Sequence, residues 1–213
     1  MRHSAPPTQH PTAVIFDLGG VLIDWDPRHL YRRLFADETA MEAFLNEVAT
    51  QEWNAQQDAG RPWAEAVTAL VAQYPDQRGL IEAFHGRWPE MVAGPIGGTV
   101  DVLADLREAG LRLYALSNWS AETFPIARRR FPFLDWFDGI VISGEVGVVK
   151  PDARIFEHLV ARYAVEPGMA VFIDDSAVNV GAAARLGFVA LQFVDARSLR
   201  HDLEELGLLG RAG

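Results

Sequence analysis

Ala13-Val14-Ile15-Phe16-Asp17-Leu18-Gly19-Gly20-Val21 is the stretch that decides the fold. Four apolar residues in a row, with no polar alternation, read as a short strand buried on both faces, as in a parallel sheet. Asp17 closes the strand, and Gly19 and Gly20 give the following loop a bare backbone that can approach a ligand closely. Taken alone, an aspartate at this point is a turn cap. Its weight depends on what stands at the ends of the other strands.

Four more apolar runs, at 111–116, 139–142, 169–173 and 188–193, read as further buried strands. Helical spacing precedes them. Residues 99–109 repeat Val100, Leu103 and Leu106 and stop at Gly110, and 177–186 stops at Gly187, each with the glycine expected just past a helix end. This alternation predicts an α/β fold built on a doubly wound, parallel, Rossmann-like sheet. It breaks between 24 and 94, where helical periodicity at 27–35, 38–49, 62–73 and 76–92 leaves no strand. The expected organisation is a flexible tail at 1–11, a core at 12–23 and 95–213, and an inserted α-helical cap at 24–94. Residues 19–26 and the cluster Gly94, Pro95, Gly97 and Gly98 are its expected hinges. With strands two and three on one side of strand one, and four and five on the other, strands one and four flank a topological switch point. Ligands bind there, beyond the carboxyl ends of the strands. Those two ends carry Asp17 and the pair Asp174, Asp175.

Composition narrows the function classes. A chain of 213 residues, 49% hydrophobic and 23% charged, suits one globular domain with an inserted module. Its formal net charge of -10 disfavours nucleic acid and anionic membrane surfaces, so neither is an expected partner. With Cys 0, disulfides, thiolate zinc sites and a cysteine nucleophile are excluded. No apolar run approaches the ~20 residues of a membrane span, and the first eleven residues are polar and proline-rich, so a cytoplasmic protein is expected. A monomer or homodimer is expected.

Three carboxylates within about 4 Å of one point would repel by about 4 kcal/mol per pair at an effective dielectric of 20. A divalent cation relieves that repulsion, and an all-oxygen site suits Mg2+, which keeps part of its shell for substrate phosphate. Lys150 is the sole lysine, the remainder of the Lys+Arg 19 being arginine. A compact ammonium on a flexible stem suits a tight pocket holding phosphate and carboxylate together, whereas arginine would serve equally well as ordinary surface charge. Ser117 and Asn118 close the second strand at the same sheet edge and offer a hydroxyl and turn amides to phosphate oxygens. Trp25 and Trp119 adjoin these loops and are expected to face substrate, while Trp53, Trp63 and Trp88 are expected in the core of the cap.

In order along the chain stand Phe16-Asp17-Leu18-Gly19-Gly20-Val21, Leu116-Ser117-Asn118, Val149-Lys150-Pro151-Asp152 and Ile173-Asp174-Asp175-Ser176 with Asn179. Together they resemble the haloacid dehalogenase superfamily, specifically its capped phosphatases. The Asp-Leu-Gly form is similar to sugar-phosphate phosphatases and to the amino-terminal domain of soluble epoxide hydrolase. The resemblance implies a magnesium-dependent phosphatase of a small phosphorylated metabolite, such as a sugar phosphate, working through an aspartyl-phosphate. By it, Asp17 is the nucleophile, and Ser117 and Lys150 hold the phosphoryl group. Asp175 ligates magnesium with Asp17 and the carbonyl of Gly19, Asp174 acts through a bound water, and Asn179 supports the loop or the metal shell. The family phosphatases usually carry a second aspartate, as general acid and base, where this chain has Gly19. Asp24, Asp58, His85 or water could replace it. Two other readings remain: a metal-independent 2-haloacid dehalogenase, which would gain nothing from the acidic pair at 174–175, and a catalytically degenerate phosphate-binding module.

Overall fold

The computed structural model describes residues 10–210. Residues 1–9 of the expected tail lie outside them. The His10 ring meets the Leu206 carbonyl at 3.1 Å.

Among the described residues seven strands occur in the order β1 (Ala13–Phe16), β2 (Ile23–Trp25), β3 (Val92–Pro95), β4 (Arg112–Ser117), β5 (Gly139–Ile142), β6 (Ala170–Asp174) and β7 (Val189–Gln192). Five form one parallel sheet of order β5-β4-β1-β6-β7, with β1 in the centre as expected. Period-2 alternation divides the sheet residues between two cores. Val14, Phe16, Leu113, Ala115, Val171 and Ile173 face one, and Ala13, Ile15, Tyr114, Leu116, Ala170 and Phe172 face the other. Helices cover both faces, so β1 needs no polar side and reads as unbroken apolar sequence.

Residues between β2 and β3 are helical: Arg28–Tyr31, Glu38–Glu47, Gln51–Asp58, Trp63–Gln73 and Arg78–Gly86, with 3-10 turns at Pro75–Gln77 and Trp88–Met91. Asp37 and Thr50 cap two of these helices through their side chains. An aromatic cluster packs them together: Trp53 lies edge-on to Trp63 and Phe84, and Tyr31 tilts against Phe44 and Phe84.

Three expectations need correction here. The interval does contain strand, because β2 and β3 pair antiparallel where the chain leaves and rejoins the core. The expected helix at 27–35 is only Arg28–Tyr31, and the one at 76–92 is broken at Arg87. The helix Gln51–Asp58 was not anticipated. It buries only Trp53 and Gln57, too few apolar positions to show a period.

Candidate active site

The register of the sheet assembles the site. Phe16 is level with Ala115 on β4 and Ile173 on β6, so Asp17 and Asp174, one residue further on, and Ser117, two further on, meet at the carboxyl edge. The Ser117 hydroxyl donates to Asp17 Oδ1 at 2.6 Å, and the Leu18 amide donates to the same oxygen at 2.7 Å. Lys150 Nζ lies 3.0 Å from Asp17 Oδ1 and 2.6 Å from Asp174 Oδ2. The lysine side chain is fully buried, as is that of Asp174, with the Phe172 ring 5.6 Å from Nζ. In such surroundings a charge survives only when paired, and Lys150 is paired twice.

Asp174 is also held by the Ser176 amide at 2.9 Å and by Asn179 Nδ2 at 3.0 Å. Asn118 turns its side chain to the backbone of Lys150 and bonds both its amide and its carbonyl. Asn179 and Asn118 therefore sit one step behind Asp174 and Lys150. Gly20, at φ 75, lets Asp175 come close: a β-carbon there would lie 2.6 Å from Asp175 Oδ2. Gly19 has no atom within 4 Å of where its β-carbon would be, so no contact demands glycine at that position.

Asp17, Asp174 and Asp175 each offer a carboxylate oxygen, all within 4.8 Å of one another. Three carboxylates against one ammonium leave two uncompensated negative charges. Hard oxygen donors with that deficit fit a divalent cation such as magnesium. The acids register the strain: Asp17 is pushed up to about 6, chiefly by burial, with Asp174 adding to the rise and Lys150 opposing it. Asp175 is raised by burial and then by Asp174. A bound cation would reverse both shifts.

Against Gly19 and Asn118, which follow Asp17 and Ser117 in their loops, lies a cavity of about 60 Å³. Gly19, Asn118, Trp119 and Thr123 line it from the sheet side, and Trp25 stands at the end of β2. Asn54, Asp58, Trp63 and Trp88 line it from the helical segment. Trp25 and Trp119 thus both border it. Trp63 and Trp88, expected as core alone, are buried and also form its walls, because a wide indole can pack with one edge and face a cavity with another. The indole of Trp119 donates to Thr123 at 3.1 Å and that of Trp63 to Ser120 at 3.0 Å, which fixes both rings.

The three side chains considered in place of the acid missing at Gly19 now separate. Asp24 pairs with His29 at 2.9 Å and its side chain is 48% exposed. His85 stacks on Trp63, with ring centroids 5.0 Å apart and planes at 7°, and is absent from the cavity walls. Asp58 lines the cavity, accepts from Asn54 Nδ2 at 3.1 Å and is pushed up to about 7. Burial is the main cause, Asp17 adds to it, and the Ser120 backbone amide opposes it.

Known proteins with related sequences agree with this picture. The family model for haloacid dehalogenase-like hydrolases matches residues 11–187. The chain is 27% identical over 194 residues to the sesquiterpene phosphatase astK of Aspergillus oryzae, covering 91% of this chain and 95% of that one. It is also 27% identical over 126 residues to the (S)-2-haloacid dehalogenase 4A of Burkholderia cepacia, covering 58% of this chain and 54% of that one. Among solved structures, a haloacid dehalogenase family enzyme of Bacteroides thetaiotaomicron, in complex with magnesium and inorganic phosphate, is similar. It superposes with a TM-score of 0.66 at 25% identity, covering 87% of this chain and 95% of that one. The sheet order, the motifs at its carboxyl edge and the family match over most of its length agree: this chain belongs to the haloacid dehalogenase-like hydrolases.

Proposed function

We propose that this chain is a magnesium-dependent phosphatase of small phosphomonoesters that works through an aspartyl-phosphate on Asp17. The observation that carries the reading is the convergence of Asp17, Asp174 and Asp175 around the Lys150 ammonium. A hydrolase that attacks carbon without a metal gains nothing from two extra acids beside its nucleophile, whose charge would repel a haloacid carboxylate. The phosphatase relative, matched over nearly its full length, favours the same choice over the dehalogenase matched over about half.

The residues act as follows. Leu18, Ser117 and Lys150 all bond Asp17 Oδ1, which orients the carboxylate and leaves Oδ2 to attack phosphorus. Lys150 and Ser117 then hold phosphoryl oxygens as charge develops on them. Asp17, Asp175 and the Gly19 carbonyl would hold magnesium, with Asp174 acting through water. Bound there, the ion would neutralise phosphoryl charge. Asn118 fixes the backbone of Lys150, and Asn179 fixes Asp174.

Residues 24–94 serve as the cap over a core of 12–23 and 95–213. Support comes from the cavity, whose walls draw on both parts. The residues lining it include four tryptophans and, among the described residues, no arginine, lysine or histidine. Such walls suit an uncharged alcohol with an apolar face, whether the C–H face of a sugar or a hydrocarbon, and disfavour a second anionic group. The sesquiterpene phosphatase relative fits the hydrocarbon end of that range.

The test is hydrolysis of a panel of phosphomonoesters with magnesium, with chelator, and with magnesium restored. Turnover that depends on magnesium and declines when the alcohol carries a second phosphate or a carboxylate supports the reading. Turnover equal with and without metal, or confined to 2-haloacids, overturns it.

A further inference from the structure

Gly19 removes the usual proton donor from the nucleophile loop, yet an alkoxide leaving group still needs a proton. Resting on the phosphatase reading above, we propose that Asp58, supplied by the helix Gln51–Asp58, is the general acid and base of this enzyme. It lines the same cavity as Gly19, Asn118 and Trp119, but from the helical segment, so an alcohol seated in that cavity meets its carboxyl. Asn54 Nδ2 and the Ser120 amide hold its carboxyl, and a further hydrogen bond from Ser143 Oγ to the Asp58 carbonyl at 2.5 Å anchors its backbone. Ser143 Oγ in turn accepts from the amide of Trp119, in the loop after β4, at 2.9 Å. The donor is thus tied to the sheet edge although it belongs to the helical segment.

Burial beside the tryptophan walls is the main force that holds the group in its acid form near neutrality, which is what a proton donor needs. Other charged groups on the elements around it are Glu52 on its own helix, Arg61 in the turn that follows, Glu65 on the helix Trp63–Gln73, Glu145 on the short helix Ser143–Val146, and Glu122 and His85, which meet Trp63. Arg61, just beyond the helix, turns its guanidinium to Gln56 Oε1 at 2.8 Å instead of to Asp58, whose carboxyl bonds Asn54.

The proton balance closes. In the first step Asp17 Oδ2 bonds to phosphorus, the bond from phosphorus to the alcohol oxygen breaks, and that oxygen takes the proton of Asp58. In the second step the Asp58 carboxylate takes a proton from water, whose oxygen bonds to phosphorus. The bond to Asp17 then breaks, releasing phosphate and restoring protonated Asp58.

The experiment compares pre-steady-state phosphorylation by p-nitrophenyl phosphate, whose leaving group needs no proton, with that by n-butyl phosphate, whose leaving group does. In Asp58→Asn, the rate with butyl phosphate falls by about 100-fold more than the rate with nitrophenyl phosphate, within the range that general acids supply. Placing the acid at its usual position, as Gly19→Asp in the Asp58→Asn background, recovers at least tenfold of the butyl phosphate rate, since the open space at Gly19 admits the side chain. Asn54→Ala, which frees the Asp58 carboxyl, gives a smaller loss in the same direction. Equal losses for both substrates, in variants whose thermal melts are cooperative, would overturn the proposal. Hydrolysis of p-nitrophenyl phosphate by Asp17→Asn at the wild-type rate would instead overturn the aspartyl-phosphate reading beneath it.

Discussion

Asn118 and Lys150 are locked together through the lysine backbone: Asn118 Oδ1 accepts from the Lys150 amide at 2.8 Å and its Nδ2 donates to the Lys150 carbonyl at 3.0 Å. The pair joins the loop after β4 to the loop that carries the ammonium. It sets where Nζ stands relative to Asp17 without spending any of that ammonium's donors.

Asn118→Ala therefore lowers kcat without abolishing it. Two hydrogen bonds, each worth about 1 kcal/mol net, are lost, so stability falls by about 1–3 kcal/mol in a denaturant titration. A kcat unchanged within twofold would show that Lys150 is held by its two carboxylates alone.

Gly19 and Gly20 respond oppositely to alanine. At Gly20 the new methyl meets Asp175 at 2.6 Å on a backbone of φ 75, so Gly20→Ala displaces a candidate metal ligand and strains the loop by about 1–2 kcal/mol. Gly19→Ala meets no atom. Magnesium titrations followed by thermal shift should show weakened binding for Gly20→Ala and near-native binding for Gly19→Ala. The reverse order would contradict the placement of Asp175.

Asp58 has a pH signature in stability as well as in rate. Its folded value of about 7 lies above the ordinary 3.8, so the folded state binds the proton more tightly than the unfolded chain. That contribution is fully present below about pH 4 and is lost as pH rises through about 7. Asp58→Asn, uncharged throughout, should gain melting temperature over the wild type as pH rises from 4 to 7, with a constant gain above. Over the same upper range, phosphorylation by alkyl phosphates should decline in the wild type as the donor loses its proton. A gain in melting temperature independent of pH would contradict the burial of an ionisable group there.

The sheet was readable because its strands are buried on both faces: Ala13–Phe16 and Gly139–Ile142 are written as unbroken apolar runs, and their ends were placed to the residue. The placing of strands two and three on one side of strand one, and four and five on the other, matches the sheet and sets Asp17 beside Asp174. The ribbon of Ile23–Trp25 and Val92–Pro95 escaped because three or four residues containing Gly94 and Pro95 show no alternation, and their pairing partners lie far apart in sequence. The motif residues Asp17, Ser117, Lys150, Asp174 and Asp175 come together as one cluster. The place of Asp58 could not be read, because it depends on how a helix with two buried side chains docks over the sheet edge. The walls formed by Trp63 and Trp88 were hidden for a similar reason: helical spacing says that a tryptophan is buried but not which of its edges meets a cavity.

Phosphorylation of Asp17 tests the central claim most directly. Wild-type protein mixed with magnesium and p-nitrophenyl phosphate, quenched in acid during the burst and digested, should yield the peptide containing Asp17 with one added phosphoryl group on that aspartate. The same treatment of Asp17→Asn should yield none, with turnover below about a hundredth of wild type, a loss of at least about 2.7 kcal/mol in transition-state stabilisation. Sustained hydrolysis by Asp17→Asn, or magnesium-dependent turnover in the wild type with the phosphoryl group on another residue, would contradict the account.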